Sequence, residues 1–435
     1  MKTLILAGGK GTRLGLTDVP KPMATIGDCT ILEHQLKLLR RYGLTDVYIL
    51  SGHLAHVIFQ KIKDGSGYGM NATHIVEPCP LGTAGSVALL KHLLHERFLV
   101  LYGDVMLDMD LERLIAYDRL GESIATLVVH PNNHPDDSDL LEVNEDGTIH
   151  AFYPKPRLPG GHYHNLVNAG VYILSPEIFP YIPLGPSLDF GRDILPTVLR
   201  SGKRLRAYRT TEYLSDMGTP ERWRAVTSDY LSGRIARRNL RNKRPAIFLD
   251  RDGVLFRHVD NLARVEDVEL LPGVGEAIAA INASDYLAVV ITNQPMIAKG
   301  FLTEEGLRAI HKKMETLLGR EHAFVDAIYY CPHHPESGFP GEVRHLKGPC
   351  DCRKPNPGML LRAAQDWNID LASSWMIGDS ESDLIAGKRA GCTTVHLCNG
   401  IAPSTWADHS ASNLPESIQN ILGVRFRTFS HAESV

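Results

Sequence analysis

The stretch "FLDRDGVLF", residues 248–256, places Asp250 and Asp252 just past an apolar run. Side chains two apart on an extended segment point the same way. Gly253 then frees the chain to bend. Such a pair suits one nucleophile and one general acid/base. The first attacks phosphorus and forms an aspartyl phosphate; the second protonates the leaving alcohol and later activates water. Asp-x-Asp alone also occurs in calcium loops and solvated turns. Other segments narrow the choice. "VITNQ" offers Thr292 and Asn293 after an apolar run, "IGDSESD" offers Asp379 and Asp383 after another, and "GPCDCRKPNPGM" (348–359) supplies Arg353 and Lys354. A lysine is needed where a phosphoryl group and several acids crowd negative charge together.

That last stretch also holds Cys350 and Cys352, and "YYCPHHP" holds Cys331 and His333, again one residue apart. Three thiolates and an imidazole make a closed tetrahedral zinc set, structural rather than catalytic. A redox pair usually has two residues between its cysteines. Free thiols are the remaining reading, and His334 competes with His333 as the imidazole. Cys29, Cys79, Cys392 and Cys398 read as ordinary small buried residues.

A second constellation lies near the start. "LAGGKGTRLGLTDVPKPM" (6–23) follows a short apolar run. Gly8, Gly9 and Gly11 let the backbone turn tightly with amides aimed at an anion. No Gly-Lys-Ser/Thr follows at the Walker spacing, and the dinucleotide Gly-x-Gly-x-x-Gly pattern is absent. Thr12, Arg13 and Lys21 follow the glycines as further phosphate contacts.

These residues need elements to hold them. Residues 1 to about 230 alternate apolar strands ("TLILAG", "DVYILSG", "FLVLYGD") with helical patterns such as "TILEHQLKLLRRYG". That alternation predicts an α/β fold with a mainly parallel sheet. A basic, acid-free stretch, "SGRIARRNLRNKRPA", reads as a solvated linker over 231–244. A second α/β domain follows over 245–402, with its polar residues at strand ends, where open sheets bind ligands. Residues 403–435 read as a tail without a motif. With 435 residues, two or three domains are expected. The net charge of −4 gives no reason to expect nucleic acid or an anionic membrane as partner. No apolar run approaches a membrane span or a signal-peptide core, so a cytoplasmic chain is expected.

The first half resembles the sugar-phosphate nucleotidylyltransferases. The likeness lies in the glycine loop, "PKPM", "EPCPLGTAGSV", "YGDVML", "NAGVYIL" and "SDMGTPERW". It implies a Rossmann-like domain in which a sugar 1-phosphate oxygen attacks the α-phosphorus of a nucleoside triphosphate. Lys21 would reach that phosphate, Gly82 would let the base lie against backbone, and Asp104 and Asp216 would bind Mg²⁺. Lys155, Asn168 and Asp189 would contact the sugar phosphate. The family commonly has Glu-Lys-Pro where this chain reads "FYPKPRLPG", so Pro154 replaces an acid that often contacts sugar.

The second half resembles the haloacid dehalogenase-like phosphatases, without an inserted cap. On that pattern Asp250 is the nucleophile and Asp252 the acid/base. Thr292, Asn293, Arg353 and Lys354 bind phosphoryl oxygens, and Mg²⁺ is held among Asp250, Asp252, Asp379 and Asp383. "CPHHPE" and "CDCRKPNPGM" resemble the heptose-bisphosphate phosphatases more than the histidinol-phosphate ones, because sixteen residues separate His333 from Cys350.

The two resemblances imply consecutive steps. One removes the 7-phosphate of D-glycero-D-manno-heptose 1,7-bisphosphate. The other transfers a nucleotidyl group, GMP from GTP, to heptose 1-phosphate, giving GDP-D-glycero-α-D-manno-heptose. The implied partners are these small molecules, with homo-oligomerisation left open. A mannose-1-phosphate or other hexose-1-phosphate enzyme fused to a histidinol-phosphate-like phosphatase is the alternative. A silent sugar-nucleotide sensor in one half is the alternative of another class.

Overall fold

The computed structural model describes residues 1–9, 18–157, 160–257, 259, 262–398, 400 and 402–426. Its chain forms two compact units. Unit 1 comprises Met1–His130, Asp137–Arg157 and Leu166–Arg241; unit 2 comprises Pro131–Asp136, Leu158–Asn165 and Asn242–Val435.

Unit 1 is built on a nine-stranded sheet. Strand Thr3–Ala7 lies at its centre, parallel to Asp46–Ser51 on one side and Phe98–Tyr102 on the other. Asn71–Val76 extends the parallel run. Val167–Leu174 runs antiparallel and joins this half to Ala125–His130 and Leu140–Val143. Leu4, Ile5, Leu99, Val100, Leu101, Val171 and Tyr172 are fully buried, as continuous apolar strands covered on both faces should be. The predicted helix after "IGDCT" spans Ile31–Arg41. Thr30 and Glu33 form its capping box, and Arg40 and Arg41 sit at its negative end.

Unit 2 carries six strands, all parallel, in the order Ala327–Cys331, Leu287–Asn293, Ala246–Leu249, Trp375–Gly378, Thr393–Leu397, His409–Ala411. Helices including Val274–Ala283, Glu304–Arg320 and Glu381–Ala390 intervene between the strands. Both units are therefore α/β, as the alternation implies.

The boundaries differ from the expected ones in three places. Residues 231–241 are grouped with unit 1 rather than forming a solvated linker. Ile235 and Leu240 are buried there. Arg234 pairs with Asp229, Asn239 donates to Asp108, and the Leu240 amide donates to Glu212. Two apolar residues and these polar contacts outweigh the charge run. Residues 403–426 are not a loose tail. They supply the edge strand His409–Ala411 and the helix Leu414–Leu422, whose Leu414 and Ile418 are buried in the core of unit 2. Finally, two short segments, 131–136 and 160–165, belong to unit 2. Tyr163 donates its amide to Thr316 Oγ1 at 3.0 Å, and His164 Nδ1 meets Glu315 Oε2.

Candidate active sites

In unit 2 the strand ends converge as the parallel topology requires. Asp250 follows Ala246–Leu249, Thr292 and Asn293 end Leu287–Asn293, Asp379 follows Trp375–Gly378, and Cys331 ends Ala327–Cys331. Lys354 is the hub. Its side chain is 1% exposed, with Nζ 2.8 Å from Asp250 Oδ1, 2.6 Å from Asp383 Oδ1 and 2.8 Å from the Ile291 carbonyl. A buried ammonium is costly unless paired. Burial opposes its charge, but Asp250 and Asp383 outweigh that and raise the Lys354 pKa above its usual value. Burial, then the Asp383 charge, push Asp250 up to about 7, with Lys354 pulling the other way.

Oxygens of Asp250, Asp379 and Asp383 all lie within 4.8 Å of one another. Hard carboxylate oxygens at that separation fit a magnesium ion, whose ligands sit ~3–4 Å apart around it. Gly253 is required beside them: its φ is +80°, and a Cβ there would lie 1.9 Å from Asp379 Oδ2. Asp383 is also held by Ser380, whose amide and hydroxyl donate to Oδ2 at 3.1 and 2.7 Å.

Two expected roles come out differently in placement. The Asn293 amide is spent on the Lys354 backbone, donating to its carbonyl (3.1 Å) and accepting from its N–H (3.0 Å). It fixes the lysine. Asp252 is not among the three clustered carboxylates. It accepts from Arg251 Nη2 at 2.9 and 3.0 Å and from Gln294 Nε2 at 3.0 Å; Gln294 also donates to Thr292 Oγ1 at 2.8 Å. Arg251 and Gln294 were missed by sequence reasoning. Both stand inside quoted motifs, but neither type announces itself beside two aspartates. Arg353 Nη1 donates to the His333 carbonyl at 3.3 Å, beside the cysteine cluster.

That cluster is compact. Cys331 Sγ is 3.6 Å from Cys350 Sγ and 3.6 Å from His333 Nδ1; Cys352 Sγ is 3.1 Å, 3.4 Å and 3.3 Å from Cys331, Cys350 and His333 Nδ1. Tetrahedral zinc with ~2.3 Å sulfur bonds would set its ligands ~3.6–3.8 Å apart. The four residues thus fit such an ion. His334 turns away: its Nδ1 faces the Glu336 backbone. Of the other cysteines, Cys392 is buried, Cys29 and Cys398 are partly so, and Cys79 is exposed, against expectation.

In unit 1, Gly11, Thr12 and Arg13 lie outside the described residues. Gly8 lies so close to Glu77 that a Cβ would come within 2.5 Å of its Oε1. Lys21 Nζ pairs with Asp104 Oδ2 at 2.9 Å. Strand Tyr213–Asp216 runs antiparallel to Val105–Asp108 and sets Asp216 opposite Val105. The Met217 amide then donates to the Asp104 carbonyl. The pairing thereby brings the backbones of the two expected metal carboxylates together. Both side chains are partly open, at 31% and 43%. Asp216 is held by Arg222 Nη1 at 2.7 and 2.8 Å; Arg222 also reaches Asp137, and Asp137 pairs with Lys155 at 2.9 Å. Asp137 carried no sequence signal, and Arg222, though inside the quoted "SDMGTPERW", was not singled out. Gly82 opens a helix at φ +74°, with its Cβ position 2.5 Å from the Leu188 carbonyl, so only glycine fits. Asp189 is occupied as a cap: it accepts from Thr83 Oγ1 (2.8 Å) and the Arg192 amide (3.0 Å). Asn168 accepts from the Gly170 amide. Asn168 and Asp189 both border Gly191.

Residues 2–233 match the nucleotidyl transferase family model, more than half of the chain. The chain belongs to that family. The nucleotidyl transferase chain continues into a second match, to the HAD-hydrolase-like model over residues 351–421. Among curated proteins, it is 37% identical over 183 residues to the D-glycero-β-D-manno-heptose-1,7-bisphosphate 7-phosphatase of Escherichia coli K12, covering 40% of this chain and 94% of that one. The protein of the same description from Rhodopseudomonas palustris is 40% identical over 149 residues, covering 34% of this chain and 81% of its own. Among solved structures, HddC from Yersinia pseudotuberculosis is 24% identical with a TM-score of 0.46, covering 53% of this chain and 99% of its own. No helix among the described residues is long and apolar enough to cross a membrane.

Proposed function

We propose that the chain is a bifunctional enzyme of nucleotide-activated heptose synthesis. Unit 2 removes the 7-phosphate of D-glycero-D-manno-heptose 1,7-bisphosphate, and unit 1 transfers GMP from GTP to the heptose 1-phosphate so formed. One observation supports the phosphatase step above others: the buried Lys354 ammonium tied to Asp250 and Asp383, with Asp252 two residues beyond. The relatives' heptose specificity supports the sugar. The guanine rests on the resemblance in "LAGGKGTRL", "DVPKPM" and "EPCPLGTAGS".

An Asp250 oxygen attacks phosphorus; the bond from phosphorus to the sugar oxygen breaks, and that oxygen takes the proton of Asp252. Water then attacks phosphorus, gives a proton to Asp252, and releases Asp250 and phosphate. Lys354 neutralises Asp250 and the phosphoryl oxygens, and Thr292 offers its hydroxyl to the same group. When bound among Asp250, Asp379 and Asp383, magnesium supplies further charge neutralisation. The Cys331, His333, Cys350 and Cys352 set would hold zinc and fix the loop that carries Lys354. In unit 1, Lys21 and Arg13 neutralise the triphosphate, Asp104 and Asp216 would hold magnesium, and Lys155 holds the sugar phosphate, so catalysis there is positioning and charge.

The test is a substrate panel on the purified full chain. Phosphate should be released from heptose 1,7-bisphosphate in preference to histidinol phosphate, and pyrophosphate from GTP with heptose 1-phosphate in preference to other pairs. Release from neither heptose substrate overturns the reading.

A further inference from the structure

Arg251 is the largest fully buried side chain among the described residues. It stands between the two catalytic aspartates in sequence, yet its side chain turns inward. A buried guanidinium is stable only if its donors are spent. They are spent asymmetrically. Nε reaches Asp252 Oδ1 at 3.2 Å, and Nη2 reaches Oδ1 at 3.0 Å and Oδ2 at 2.9 Å. Nη1 faces His311 Nε2 at 3.2 Å. That nitrogen must accept, so the ring is neutral there. Burial, then the Arg251 and His164 charges, depress the His311 pKa well below its usual value, consistent with that state. His311 is itself buried on helix Glu304–Arg320. The arginine is therefore pinned at one end by a rigid helix and grips the Asp252 carboxylate with the other. Gln294 adds a third grip at 3.0 Å.

We propose that Arg251 is a positioning residue: anchored on His311, it aims the Asp252 carboxylate at the leaving oxygen. The proposal rests on the phosphatase reading above. Its chemistry makes a distinction that a purely structural role does not. Protonation matters when the leaving group is a sugar alkoxide, and matters little for p-nitrophenolate, which leaves without a proton. Loss of aim should thus depend on the leaving group.

The experiment measures kcat/KM for heptose 1,7-bisphosphate and for p-nitrophenyl phosphate, in wild type, Arg251→Lys, His311→Leu and the reference Asp252→Asn. This parameter covers the steps up to release of the first product, so it reports the acid role. General acid catalysis is worth about 10²–10⁴-fold. Arg251→Lys keeps a cation but loses the fork. It should lower the sugar value about 30-fold or more, and the p-nitrophenyl value less than about threefold. His311→Leu should shift the ratio in the same direction by a smaller factor, and Asp252→Asn by a larger one. The ratio of the two substrates is independent of the folded fraction, so a destabilised variant is still informative. An equal fall on both substrates, or an unchanged ratio, overturns the proposal. If wild type hydrolyses neither compound, the phosphatase reading itself fails, which is a different result.

Discussion

Lys354→Met is the sharpest perturbation of the phosphatase unit. The wild-type ammonium sits within 2.6–2.8 Å of two carboxylate oxygens and is 1% exposed. Methionine keeps most of its length and removes its charge. Asp250 and Asp383 are then left facing one another in a buried site, and one must take up a proton. Leaving a buried charge without its partner costs about 3–5 kcal/mol. At about 2–4 °C per kcal/mol for a unit of this size, the melting transition of unit 2 should fall by roughly 6–20 °C. Added Mg²⁺ should recover part of that fall, because a divalent ion can take over the neutralisation. Phosphate release should drop by at least about 10³-fold, since a proton held between Asp250 and Asp383 weakens the proposed nucleophile and the phosphoryl oxygens lose a cation. Calorimetry with and without Mg²⁺, beside a phosphate-release assay, reads all three. A melting point within 2 °C of wild type, or activity within tenfold, would refute the account of Lys354.

Three more outcomes are expected. Elemental analysis should find about one zinc per chain, and Cys350→Ser should lower both the zinc content and phosphate release; a folded, active and zinc-free protein would contradict the four-ligand site. Lys21→Met should cost pyrophosphate release at least about 100-fold, with phosphate release unchanged in the same preparation, because its partner Asp104 belongs to unit 1. Glu212 is raised to about 7 by burial, against the Leu240 and Asp110 amides and Thr210, which favour its charge. A carboxyl with a raised folded pKa contributes stability in full below its unfolded value near 4.5, and this is lost as pH climbs through about 7. Chemical denaturation of wild type should therefore weaken between pH 5 and 8 by up to about 3 kcal/mol, and Glu212→Gln should flatten that slope; an unchanged slope would count against it.

The gathering of candidate residues in unit 2 was legible because few residue types, placed at strand ends, carry it. Asp250, Lys354 and the cysteine set stand in motifs whose spacing is set by the backbone. Their side chains meet as the topology of a parallel sheet demands. What was not legible comes from long-range packing. Arg251 drew no reading from the sequence, and only the position of His311, sixty residues away, shows what holds it. Asn293 is conspicuous in sequence, yet it is spent on the Lys354 backbone. Asp137 and Arg222 are joined across 85 residues by folding alone. The basic stretch misled because charge dominates its composition. Two buried apolar residues, Ile235 and Leu240, decide its fate. The final helix was overlooked because it carries no chemistry, although Leu414 and Ile418 close the core.

The most direct test of the two-enzyme account uses one substitution in the full chain. Asp250→Asn removes the proposed nucleophile and leaves unit 1 untouched in sequence. Phosphate release from heptose 1,7-bisphosphate should vanish, while pyrophosphate release from GTP and supplied heptose 1-phosphate should stay within about twofold of wild type. Loss of both activities, or survival of phosphate release, would contradict it.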